Sequence, residues 1–184
     1  MNDARSQRLR DFRSLCLHEA AHAVVGELLG WRVRSARVWR SRLEGEVNFA
    51  SSCRRPWVDA IVSAAGHAAE LASWTDAVPI PSHTDRREVR DALRGCGAVR
   101  PTDAEVKGME QQLAILFLVE PIRAAVERVA RTLAPLRRLS RAQIVEAIGV
   151  VPLIHRIRWR RLARRLVDQA VTETRIRAQL ETLS

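Results

Sequence analysis

His18-Glu19-Ala20-Ala21-His22 is the one run in this chain whose residue types and spacing specify a chemistry. Residues four apart on a helix share one face a turn apart, so both imidazoles can reach a single zinc ion. Glu19 stands beside them and can take a proton from water held by that ion. This is the pattern by which zinc peptidases hydrolyse an amide. With only 5 histidines in 184 residues, the run arises by chance about once in a hundred sequences of this composition.

The neighbouring residues suit a buried helix. Leu15-Cys16-Leu17 precede the motif, Ala23-Val24-Val25 follow it, and Gly30 offers a terminator, so a helix is expected from about Ala4 to Leu29. The period then changes. Val33 to Arg40 and Gly45 to Ala50 alternate apolar with polar around the turn-like Ser41 to Glu44, which predicts a β-hairpin. Helical spacing returns from Pro56 to Trp74 with small residues that permit close packing, and the prolines between Asp76 and Pro81 predict a loop.

Further on, a helix is expected from Ser82-His83-Thr84-Asp85 to Leu93, stopping at Gly95-Cys96-Gly97. Thr102 and Glu105 form a capping box for a long helix to Ala134 that Pro121 should kink or break. Ser140 caps a short helix ending at Gly149, and Pro152 permits a last one to about Leu183.

Composition limits the function classes. The longest apolar run, Leu113 to Val119, is far short of the roughly 20 residues that span a bilayer. The first residues mix both charge signs and hold no apolar signal segment, so a cytoplasmic protein is expected. Cys16, Cys53 and Cys96 form no CxxC pair, which favours reduced thiols over a disulfide framework or a thiolate metal site. The net charge is +10 and Lys107 is the sole lysine. An arginine bias of this kind gives little support to nucleic-acid binding on its own.

A catalytic zinc takes three protein ligands and leaves one position open. The remaining candidates are His67, His83, His155 and the acids, and two segments stand out, Ala65-Gly66-His67-Ala68-Ala69-Glu70 and Ser82-His83-Thr84-Asp85. On these segments and the HEAAHAVV run, the chain resembles the peptidase domain of FtsH-type zinc proteases from about His18 to Gly149. That family carries a HEAGHA helix, a hairpin, an AGRAAE-like helix and a later Asp ligand.

The resemblance implies a mainly α fold with one small β-hairpin, a zincin-like HExxH helix inside a helical peptidase domain. It makes His18, His22 and Asp85 the metal ligands, Glu19 the catalytic base and Glu70 a support for a ligand imidazole. His67 stands where the family has arginine, and His83-Thr84-Asp85 replaces its Ser-Asn-Asp-like run. His83, His67 and Asp76 therefore stay open as third ligands.

Residues 1–150 are expected to form the peptidase-like domain and 151–184 a basic helical extension. In the extension Trp159, Leu162, Ala163, Leu166, Val167 and Ala170 make an apolar stripe, with arginines on the other faces. Packing on its own domain is the first reading, a partner or oligomer contact the second, and nucleic acid or anionic membrane the third. No GxxxxGK[ST] phosphate loop occurs. The expected substrate is unfolded or flexible polypeptide, or protein delivered by a separate unfoldase or regulatory partner. The alternative function is a catalytically silent binding or regulatory module that contacts nucleic acid through the basic helix.

Overall fold

A computed structural model describes residues 2–50, 55–72 and 83–183. Their order is α1 (Asn2–Leu29), β1 (Val33–Trp39), β2 (Glu44–Phe49), α2 (Pro56–Leu71), α3 (His83–Gly95), α4 (Asp103–Leu116), α5 (Glu120–Leu136), β3 (Arg138–Ser140), α6 (Arg141–Ile148) and α7 (Leu153–Leu183). The protein is mainly helical, with one small antiparallel sheet. The expected loop with Asp76 lies outside the described residues, as does Cys53.

Two helices form the centre. Every residue of α1 from Ser14 to Gly26 is buried, and α2 is buried from Trp57 to Glu70 apart from the half-buried Asp59. A helix covered on all sides needs no polar face, which explains the run of alanine, valine and leucine around the histidines. The other helices and the sheet wrap this pair. α1 ends where Trp31 N–H donates to Gly26 O and Gly30 N–H to Glu27 O, with Gly30 at φ 84°, a Schellman turn.

The sheet differs from the lone hairpin expected. Its order is β2-β1-β3, so β1 is central and Leu139 of β3 faces Ala36 of β1. Three residues are too short to show a period, so β3 left no alternation in the sequence. Its hydrophobic contribution is nonetheless complete, since Leu139 is fully buried. A register shift between Val33 and Ser35 lets Val33, Ala36 and Val38 all face the core, the effect of a β-bulge.

Pro121 divides the expected long helix into α4 and α5, sitting in the first turn of α5 where its missing N–H costs nothing. The Thr102–Glu105 and Ser140–Gln143 capping boxes both form. The apolar stripe of α7 enters the same core as α1 and α2 through Trp159, Ala163, Val167, Ala170 and Val171. Leu162 lies outside that seam and is exposed. Arg160 and Arg164 instead sit over the Trp57 ring of α2, at 5.7 and 5.5 Å from its centroid.

Candidate metal centre

α1 presents His18 and His22 on the side that faces α2 and the first turn of α3. Asp85, three residues into α3's sequence, completes the group. His18 Nε2 lies 2.9 Å from Asp85 Oδ2 and His22 Nε2 lies 3.7 Å from the same oxygen. Among the described residues this is the group that could hold a metal ion, its three donor atoms lying within 4.8 Å of one another.

The donor set fits zinc. Ligands about 2.1 Å from a tetrahedral ion stand roughly 3.4 Å apart, and the two histidine-to-aspartate distances of 2.9 and 3.7 Å fall on either side of that value. The rear of each ring is also partnered. His22 Nδ1 is 2.6 Å from the Val62 carbonyl and His18 Nδ1 is 3.2 Å from Glu70 Oε1. A carbonyl can only accept, so His22 carries a proton on Nδ1, and Nε2 is the nitrogen left facing Asp85.

Close approach of the backbones fixes these rings. A β-carbon at Gly66 of α2 would stand 2.4 Å from His18 Nε2, and one at Gly45 of β2 would stand 2.5 Å from Glu19 Cγ. A side chain at either position would force a shift, of the His18 ring in one case and of the Glu19 carboxyl in the other. Gly66 was visible in the Ala65-Gly66-His67 segment. Gly45 carried no signal beyond a glycine in a strand.

Electrostatics divide the acids into two kinds. Burial alone would raise Asp85, yet its hydrogen bonds to His18 and His22 and their charge hold it well below the usual carboxylate range. Glu70 is likewise lowered by His18 and His67 against the effect of burial. Glu19 behaves oppositely. Burial raises its pKa, and the attraction of His22 and His18 does not cancel that rise. Burial disfavours the His18 imidazolium, but Asp85 and Glu70 outweigh it and lift the group to about 10. Loading a metal must therefore displace a proton from His18.

The other candidate ligands go elsewhere. His67 has its Nδ1 3.4 Å from Glu70 Oε2, while its Nε2 accepts from Arg86 at 3.2 Å with Glu110 Oε2 3.6 Å away. His83 is exposed at the start of α3, beside Arg86 and Arg87. Glu110 had not been singled out, although Val106, Met109, Glu110 and Leu113 share the inner face of α4 and a carboxylate on such a face is itself a signal. Its oxygen meets Arg86 at 3.3 Å, and Ser14 of α1 donates to Glu70 Oε1 at 3.2 Å.

One side of the site opens into a cleft of about 750 Å³ lined by Glu19, His22, Asp85 and residues of β2, α2 and α3. No protein-family model and no curated protein matches the chain. No helix of the described residues is long and apolar enough to cross a membrane.

Proposed function

We propose that this chain is a zinc-dependent endopeptidase of the FtsH type, hydrolysing peptide bonds in unfolded or flexible polypeptide without an ATPase of its own. His18, His22 and Asp85 would hold the ion. When bound, zinc supplies positive charge that lowers the pKa of water toward about 7 and polarises a carbonyl oxygen. The observation that carries the proposal is the convergence of those three donor groups in a buried site, with the Glu19 carboxylate next to them and open to the cleft.

Glu19 does the proton transfer. A carboxylate whose proton affinity is raised by burial can take a proton from the attacking water and return it to the leaving amine nitrogen. Glu70 and the Val62 carbonyl hold the two imidazoles in position from behind. Among the described residues β2 is the outer strand of the sheet, and it borders the cleft, so an extended substrate can pair with its outer edge. Backbone pairing of that kind explains low demand for a particular sequence. Folded substrates would need a separate unfoldase or regulatory partner, and the free thiols of Cys16 and Cys96 suit a reducing compartment such as the cytoplasm.

The test pairs metal analysis with cleavage of casein. About one zinc per chain, cleavage by wild type, and none by Glu19→Gln with zinc retained are expected. If zinc bound His18→Ala as well as wild type, or Glu19→Gln cut as fast as wild type, the proposal would fail. The second outcome would favour the silent binding module instead.

A further inference from the structure

The charge of the cleft opposes the charge of the chain. The sequence holds 31 Lys and Arg against 21 acids, yet among the described residues the cleft wall contains six acids and no lysine or arginine. Beyond Glu19 and Asp85 these acids are Glu46 of β2, Asp59 of α2, and Glu88 and Asp91 of α3. Glu88 accepts a bond from Ser63 and Asp91 is paired with Arg94 on the rim. The pairing of Asp91 is exposed and therefore weak. Low-dielectric walls around a single sign of charge concentrate ligands of the other sign.

Two further observations point to an incoming ligand. Glu19 is only 6% exposed and faces the cleft, and its interactions there are with the charges of neighbouring groups rather than with a hydrogen-bond donor among the described residues. The second is the strand. Among the described residues β2 pairs with β1 on one side only, and it contributes Gly45, Glu46, Val47 and Phe49 to the cleft, so its other side presents a row of backbone groups to an extended chain. Beside it, Trp31 stacks on Phe49 with ring centroids 4.3 Å apart, and both rings line the same hollow.

We propose that the cleft selects polypeptide segments carrying lysine or arginine close to the bond to be cut. This rests on the peptidase reading and adds the class of substrate to it. The apolar stem of a long basic side chain lies along the Trp31–Phe49 wall while its charged end reaches Asp59, Glu88 and Asp91. Pairing with β2 sets the depth of the segment, and the acids then choose between segments that pair equally well. An acidic segment is turned away by the same field.

The experiment uses the full chain and three fluorescein-labelled unstructured peptides alike except for a central pair of residues, Arg-Arg, Ala-Ala or Glu-Glu. Binding is read by anisotropy on zinc-loaded Glu19→Gln, and cleavage is read separately on wild type. The Arg-Arg peptide should bind about tenfold more tightly than Ala-Ala, with Glu-Glu weaker than both. In the Glu19→Gln background, adding Glu88→Gln and Asp91→Asn, two exposed changes that leave the core untouched, should bring Arg-Arg down toward the Ala-Ala value. Equal binding of Arg-Arg and Ala-Ala, or a preference that survives those changes, overturns the inference. Wild type cutting all three peptides at one rate would also overturn it while leaving the peptidase reading intact. Wild type cutting none would overturn the peptidase reading, and the anisotropy would still decide whether the cleft prefers basic segments.

Discussion

Gly66 of α2 lies directly against the His18 ring of α1, so close that a β-carbon there would stand 2.4 Å from Nε2. The His18 ring is therefore held by the absence of a side chain as much as by its polar partners. Gly66→Ala should displace His18, with overpacking that costs about 1–3 kcal/mol of stability and a loss of zinc affinity. Gly108, in α4, meets nothing within 4 Å. Gly108→Ala should leave zinc binding unchanged and stabilise by roughly 0.5–1 kcal/mol. Urea unfolding and zinc titration of the two variants make the comparison.

Glu70 touches His18 and not the donor cluster's inner face. Glu70→Gln should lower zinc affinity about 10- to 100-fold, the usual consequence of losing a carboxylate behind a ligand histidine. Competition with a chromophoric chelator would measure it. An affinity equal to wild type would remove Glu70 from the site.

The proton held by His18 makes the metal-stripped protein sensitive to pH. Its folded pKa of about 10 lies above the ordinary 6.5, so the contribution is fully present below about pH 6.5 and is lost as pH rises through 10. Stripped protein should become easier to unfold in urea across that window. Loaded protein should not follow it, because a ligand imidazole is neutral throughout. Zinc addition at pH 8 should also release close to one proton from His18, measurable from binding heats in buffers of different ionisation enthalpy.

Leu139 is fully buried in the three-residue strand β3 and packs with the core beneath β1. Leu139→Ala should cost about 2–5 kcal/mol. Arg138→Ala, at an exposed position beside it, should stay within about 0.5 kcal/mol. Thermal melts of both variants test whether the third strand is integral to the sheet.

The helices were largely legible because their signals are local. Gly30, the Thr102 and Ser140 boxes, and Pro121 each act within a few residues, and the boundaries fall where they indicate. β3 was not legible because its pairing partner is about a hundred residues away and its own three residues carry no period. At the site, His18, Glu19 and His22 share one helix and could be read from spacing. Asp85 came from another helix and needed a resemblance to be named. Glu110, Arg86 and Gly45 were missed because their roles exist only across elements, where α4 and α3 meet His67 and β2 meets α1.

The outer edge of β2 has a cost for the protein in isolation. Among the described residues nothing pairs with that edge, and an open edge invites another copy of itself, through which crowded chains aggregate. Glu44, Glu46 and Asn48 are the exposed residues of this strand, and two like charges facing their own images oppose that pairing. If β2 pairs with substrate as proposed, those charges would let it lend its backbone for one encounter without seeding fibres. Colloidal stability and turnover would in that case depend on the same two glutamates.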